Sequence, residues 1–367
     1  MKKLLTGFTS ILLLGGGLGA AWAHDDSDHD RGAVSRFVTL PDGVRFPEGI
    51  TANPANGDIY VSTFDTLGNP NKLLRYSRHG QLLAQRTFDA PLLGLEFDRA
   101  HNKVYVTNVG DFVNTGSKIQ RIAANFNSAT PIEEVAAIPA VGAPPVDRVV
   151  GNPDGSSDTI HFGGGARVPN AMAFDSHGNL YISDSFQGAI FRIDNVASCA
   201  TPCVVTLISH DPLLATAGFP PFGANGLAVS GDGKALFVAN TGDDRVLKLD
   251  LTKPALSTDA VSVFAESING ADGIVFDRLG RLWVCANQSD EVVALNANGR
   301  VVARLGAFEG IGRHGAPRGL LFPASPVIVG DDMFVTNLAI PLTGAVGDEP
   351  EEDVTRWTVS RIELPGL

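Results

Sequence analysis

Six times along the chain, a short stretch repeats one pattern: a variable residue, a small residue, then a large apolar one. The stretches are Pro47-Glu48-Gly49-Ile50, Leu92-Leu93-Gly94-Leu95, Pro169-Asn170-Ala171-Met172, Ala224-Asn225-Gly226-Leu227, Ala271-Asp272-Gly273-Ile274 and Pro317-Arg318-Gly319-Leu320. Their variable positions lie 45, 77, 55, 47 and 46 residues apart. A near-constant period of this size is the signature of an array, because one repeat cannot bury its own apolar face and must lean on its neighbour. Most motifs continue into an alternating strand, as in Ala173-Phe174-Asp175. A second strand follows with an aromatic at a fixed place, as in Ile59-Tyr60-Val61-Ser62, Val104-Tyr105-Val106-Thr107 and Leu282-Trp283-Val284-Cys285. Asn56-Gly57, His177-Gly178 and Asp232-Gly233 supply turn residues that tolerate positive φ. Third strands such as Arg245-Val246-Leu247-Lys248-Leu249 come next, and no long segment keeps a helical period. Four-stranded units of ~45 residues predict the blades of a β-propeller.

The sixth unit runs out of chain before its fourth strand, while Ser35 to Leu40 offers an unclaimed strand at the other end. The expectation is therefore an all-β, six-bladed propeller over residues 34–367, closed by pairing its N- and C-terminal strands, which removes two exposed edges. Radial β folds reach this length as one domain. Ahead of it, Lys2-Lys3, the apolar run Leu4 to Leu18 and Ala21-Trp22-Ala23 read as a signal peptide over residues 1–23, too short and glycine-rich for a membrane span. Residues 24–33 read as an acidic tail with little to bury. The mature protein is expected to be periplasmic or secreted and monomeric, with no membrane contact. In that compartment Cys199 and Cys203 suit a small disulfide in an outer loop, while Cys285 reads as a buried, inert thiol. A net charge of −12 argues against nucleic acid as a partner.

In a closed ring, the six variable residues begin the innermost strands and converge on the axial channel. They read Glu48, Leu93, Asn170, Asn225, Asp272 and Arg318. Calcium takes six to eight oxygen ligands and accepts amide carbonyls, whereas softer metals prefer the His or Cys that these positions lack. Glu48 and Asp272 supply two charges that balance a divalent ion, and Asn170 and Asn225 add neutral oxygens. Four protein donors leave positions open for water or substrate, as at a catalytic site. Other hard divalent ions fit the same donors. The alternative is a wet channel in which these groups satisfy one another, with Glu48 paired to Arg318 across the closure.

This pattern resembles the senescence-marker protein/gluconolactonase family of regucalcin-like lactonases, and also the related diisopropyl fluorophosphatase. The resemblance covers essentially the whole mature chain and is most specific at Asn225-Gly226-Leu227 and Asp272-Gly273-Ile274. It implies one catalytic calcium held by Glu48, Asn170, Asn225 and Asp272, in the channel of a six-bladed propeller. The expected activity is hydrolysis of a lactone or similar ester, with the ion polarising the carbonyl and Asp272 accepting a proton from water or orienting it. Arg318 is expected to hold an anionic group of the small-molecule substrate and Leu93 to form an apolar wall. His161 and His314 lie on loops that open on the same face, where either suits a proton shuttle. Asp184, at the end of a second strand, is a candidate to support the site. The long stretch from Val109 to Val168, with rigid Pro139 to Pro145 and flexible Gly163-Gly164-Gly165, is read as a partial lid. Those glycines lack the Lys and Ser/Thr of a phosphate loop, and no Gly-x-Ser-x-Gly elbow occurs. Two other classes stay open: a propeller that only binds a ligand or partner around a structural calcium, and a lyase resembling the streptogramin-opening propellers.

Overall fold

The computed structural model describes residues 33–112, 115–151, 154–160, 166–344 and 346–364. The leader and nearly all of the acidic tail lie outside the described residues, as do His161 and Gly163 to Gly165. Five blades run in sequence order from the axis outward, each a four-stranded antiparallel sheet. Blade 1 takes Pro47–Ala52, Ile59–Thr63, Lys72–Tyr76 and Leu82–Thr87, and blade 2 takes Leu92–Asp98, Lys103–Asn108, Lys118–Ala123 and Glu133–Ala137. Blade 3 takes Pro169–Phe174, Leu180–Asp184, Ala189–Ile193 and Thr206–His210, and blade 4 takes Ala224–Val229, Ala235–Asn240, Arg245–Asp250 and Val261–Ala265. Blade 5 takes Ala271–Phe276, Leu282–Ala286, Glu291–Leu295 and Val301–Leu305.

Blade 6 closes the ring as expected. Its inner strands are Pro323–Val329, Asp332–Asn337 and Thr358–Glu363, and its outermost strand is Val34–Thr39 from the other end of the chain. Val34 pairs with Ile362 and Thr39 with Thr358, with a bulge between Arg36 and Val38. The closing strand also carries apolar cargo. Val38 and Leu40 are buried in the core shared by blades 6 and 1, and Phe37 packs edge-on against Phe334 at 4.6 Å.

The recurring aromatic of the second strands has a structural cause. It packs against the phenylalanine late in the next blade's first strand: Tyr60 on Phe97 at 5.8 Å, Tyr105 on Phe174 at 5.5 Å, and Phe237 on Phe276 at 5.3 Å. The core is thus laid down between blades, which is why one blade does not stand alone.

The small residue after each variable position has an equally specific cause. A Cβ on Gly49 would fall 2.2 Å from the Leu93 carbonyl, one on Gly94 2.4 Å from that of Asn170, and one on Gly226 2.3 Å from that of Asp272. Each blade therefore presses its inner strand onto the carbonyl of the next blade's variable residue. Hydroxyls on the second strands take the same carbonyls: Ser62 donates to Leu93 O, Thr107 to Asn170 O, Ser183 to Asn225 O and, across the closure, Thr336 to Glu48 O at 2.6 Å. The backbone of the channel residues is fixed before their side chains are considered.

The sixth variable position requires a correction. Pro317–Gly319 is not an inner strand: it pairs with Phe308–Ile311 in a separate two-stranded hairpin, and Gly319 takes φ +73. The inner strand starts at Pro323, so the residue equivalent to Glu48 is Ala324, and Arg318 is exposed. Pro317-Arg318-Gly319-Leu320 copies the small-then-large spelling, but its glycine serves a turn. The extra hairpin carries the true position six residues further along.

Candidate metal centre in the axial channel

Glu48, Leu93, Asn170, Asn225 and Asp272 line one cavity of about 90 Å³ on the channel axis, together with Thr241 and Asn287. All five of the inner-strand residues are buried. Around the ring the floor then reads acid, Leu, Asn, Asn, acid, Ala324, so the polar arc runs through blades 3 to 5 and reaches Glu48 across an apolar gap at blade 6.

The two amides are oriented by hydroxyls whose own protons are committed. Ser185 donates to Ala224 O at 2.7 Å, so it can only accept from Asn170, whose Nδ2 lies 3.0 Å away. Thr241 likewise donates to Ala271 O at 2.8 Å and accepts from Asn225 Nδ2 at 2.9 Å. Each hydroxyl thereby claims the NH2 side of its amide and leaves the carbonyl oxygen for another partner. Asn287 occupies the same place in blade 5 and donates from Nδ2 to Asp272 Oδ2 at 3.0 Å. Its own Oδ1 lies over Gly270, where a Cβ would fall 1.8 Å away, and is buried without a hydrogen-bond partner, while its Nδ2 positions Asp272.

Both acids are left half-served. Among the described residues, five buried side-chain polar atoms lack a hydrogen-bond partner, and three of them belong to residues lining this cavity: Glu48 Oε2, Asp272 Oδ1 and Asn287 Oδ1. Burial, and then the charge of Asp272, hold the Glu48 carboxyl well above its ordinary range. Asp272 is pushed up to about 7 by burial, against the hydrogen bonds from Asn287 and Asn225 that favour its charged form. Two buried carboxylates without full partners are costly to ionise, and a divalent cation held by both would remove that penalty. The residues present fit a hard divalent ion: two anionic oxygens without partners, two oriented amide carbonyls, and no sulfur or imidazole. No cluster of three or more His, Cys, Asp or Glu forms among the described residues, because half of this donor set is amide. Cys285 sits buried in blade 5, its thiol pushed up by burial and by both acids, which suits the inert role expected of it.

A wider cavity of about 710 Å³ runs along the other half of the channel, lined by the inner strands below the variable residues and by Glu96, Arg99 and Asp277. Among the described residues none of its side-chain atoms is buried without a partner, and burial pushes the Glu96 carboxyl up to about 8.

The remaining sequence candidates fall elsewhere. His314 and Arg318 are exposed on the extra hairpin and do not line the small cavity. Arg318 therefore cannot pair with Glu48 in the channel. Asp184 is buried but faces away: its oxygens accept from the amides of Val168, Phe186 and Gln187 and from Gln187 Nε2. It shapes the loop after its strand. Pro139 to Pro145 is docked on blade 3, where Gln187 Oε1 accepts from the amides of Val141 and Gly142. The hairpin Arg148–Gly151/Ser157–Ile160 follows, tied to blade 4 by an Arg148–Asp243 ion pair. No described residue of this insertion lines the cavity. Cys199 and Cys203 are bridged, as expected.

Ser185, Thr241 and Asn287 were not singled out from the sequence as orienting groups. Their signal was there: each stands one residue beyond the end of a second strand, in register with one another, whereas Asp184 and Asn240 stand one residue earlier. Also unsignalled was the apolar mouth, where Phe64, Phe222, Phe322, Leu338, Ile340 and Leu342 line the cavity above the acids and amides.

The protein is thus a six-bladed propeller with an acid-and-amide floor in its axial channel. Residues 217–307, which span blades 4 and 5 and carry Asn225 and Asp272, match the SMP-30/gluconolactonase/LRE-like region, so the family resemblance read from the sequence is borne out over those two blades. No curated protein sequence matches the chain. Among solved structures, a luciferin-regenerating enzyme is similar with a TM-score of 0.59 at 16% identity, over 88% of this chain and 92% of that one. Regucalcin from Agrobacterium tumefaciens, described as a calcium-binding protein, gives 0.55 at 16% identity over 89% and 96%. Virginiamycin B lyase from Staphylococcus aureus gives 0.52 at 14% identity over 90% and 99%. At these identities the likeness is one of fold.

Proposed function

We propose that this protein is a calcium-dependent hydrolase of a lactone or similar ester. The observation that carries the reading is the pair of buried, unpartnered carboxylate oxygens, Glu48 Oε2 and Asp272 Oδ1, on a floor completed by two oriented amides. Glu48, Asn170, Asn225 and Asp272 would hold the ion, and the name of the matching family and the description of the regucalcin neighbour as calcium-binding support that choice. When bound, calcium supplies Lewis-acid polarisation of the substrate carbonyl.

The chain's own groups do the rest. Asn287 fixes Asp272 through a single hydrogen bond to Oδ2, so with Oδ1 on the ion the second lone pair of Oδ2 is the one left to take a proton from an attacking water or to orient it. Leu93 and the apolar mouth keep bulk water from the floor. No histidine lines the cavity among the described residues, which favours a carboxylate base over the imidazole that a lyase reading asks for. The leader and the bridged Cys199–Cys203 suit an oxidising compartment outside the cytoplasm.

The test is turnover of a panel of lactones, aryl esters and phosphotriesters with calcium and with chelator. Hydrolysis that disappears with chelator and returns with calcium is the expected result. Calcium-dependent binding of panel members without turnover would make the protein a binding propeller instead. An unsaturated product would make it a lyase.

A further inference from the structure

The hydrolase reading leaves the kind of lactone or ester open; the inference below rests on that reading and narrows it. Above the floor, the cavity is lined by Phe64, Phe222, Phe322, Leu338, Ile340 and Leu342. The apolar surface continues outward, because Phe112 packs on Phe64 at 5.6 Å and on Phe186 at 5.5 Å, and Phe186 packs on Phe222 at 5.4 Å. Lysine, arginine and histidine are missing from the lining among the described residues. Its polar members are the four floor residues, Thr241 and Asn287; Thr241 donates to Ala271 O and Asn287 to Asp272, so the unpartnered polar atoms are the acceptors Glu48 Oε2, Asp272 Oδ1 and Asn287 Oδ1, all at the floor and none on the wall above it.

The loop after the second strand of blade 6 makes this surface a built one. Connecting loops usually run through solvent with polar side chains, yet this one reads Leu338-Ala339-Ile340-Pro341-Leu342. It is pinned from behind: Glu349 accepts from the amides of Leu342 and Thr343, and Trp357 Nε1 donates to Ala339 O. Those anchors hold Leu338, Ile340 and Leu342 in the cavity wall.

A polyhydroxylated ring has no place on such walls. Each hydroxyl buried there without a partner weakens binding roughly tenfold or more, whereas each methylene laid against apolar surface strengthens it about fourfold. The cavity is also small. At about 90 Å³ it falls below the ~300 Å³ at which whole-ligand pockets begin, so the floor receives the reacting carbonyl and the rest of the molecule lies along the phenylalanines.

We propose that the substrate is an apolar lactone or ester, bearing an alkyl or aryl group, and not a polyhydroxylated sugar-acid lactone. Phe222, which touches both the cavity and the outer aromatic cluster, is assigned as a specificity determinant. The experiment uses the calcium-loaded protein and γ-lactones with alkyl tails of increasing length, beside an aldonolactone of the same ring size. kcat/KM should climb about fourfold per methylene over the first few carbons, with the aldonolactone at least tenfold below the shortest alkyl member. Phe222→Ala, or Ile340→Ser should the first variant melt early, should flatten that climb. A flat series, or preference for the aldonolactone, overturns the proposal while leaving the hydrolase reading intact. If nothing turns over, the hydrolase reading fails, and calorimetric binding of the same compounds decides the class. Affinity rising with tail length upholds an apolar ligand, and affinity indifferent to it or favouring the polyol overturns one.

Discussion

Exchanging Asp272 for Asn is expected to lower kcat by about 10²–10⁴ under calcium saturation, far more than the loss of metal affinity explains. The substitution preserves size and one oxygen donor and removes a charge and a base. Asn287 holds the side chain through one hydrogen bond to Oδ2, which leaves that oxygen a lone pair for proton work while Oδ1 serves the ion. The comparison is Asn225, whose oxygen is neutral and replaceable by water, so Asn225→Ala should cost mainly calcium affinity. The measurement is kcat on the best substrate of the panel, with metal occupancy determined in parallel. Full activity in a fully loaded Asp272→Asn protein would assign Asp272 to ligation alone.

Removing Val34 to Leu40 is the second change with a large effect. It strips five backbone pairings from Thr358–Glu363, withdraws Val38 and Leu40 from the core, and leaves Thr358–Glu363 as an unpaired edge. Burying two such side chains contributes about 1.5–3 kcal/mol each. With the lost ladder included, Tm should fall on the order of 10 °C for a chain of this size. Because Thr336 holds the Glu48 carbonyl across the same closure, calcium affinity should fall along with stability. A variant beginning at Pro41 that melts at the temperature of the full mature protein would refute the closure.

Why these features could be read in advance, and others could not, follows from what each residue answers to. The Gly of the repeated motif is demanded by a neighbouring carbonyl 2.2–2.4 Å from its absent Cβ at Gly49, Gly94 and Gly226, so the constraint is written at a fixed place in the chain. The second-strand aromatic is fixed by one partner in the next blade. Such local demands repeat, and repetition exposed the ring, its closure and four of the floor residues. Arg318 misled because a turn glycine and a packing glycine are spelled alike, and only pairing with Phe308–Ile311 separates them. His314 followed Arg318 onto the same exposed hairpin. Ser185, Thr241 and Asn287 escaped because a hydroxyl or amide past a strand end is ordinary turn chemistry until its partner is known. The apolar mouth escaped for another reason. Its residues come from separate loops of blades 1, 4 and 6 that share no period, and assembly alone makes them one wall.

If the channel floor holds one hard divalent cation, titrating the protein with calcium in a calorimeter shows it. One ion should bind per chain, with affinity rising from pH 6 to pH 8 as Asp272, pushed up to about 7 by burial, gives up its proton. Glu48→Gln and Asp272→Ala should each weaken that binding at least tenfold, since each removes one of the two balancing charges. Unchanged calcium binding in both variants would contradict the account.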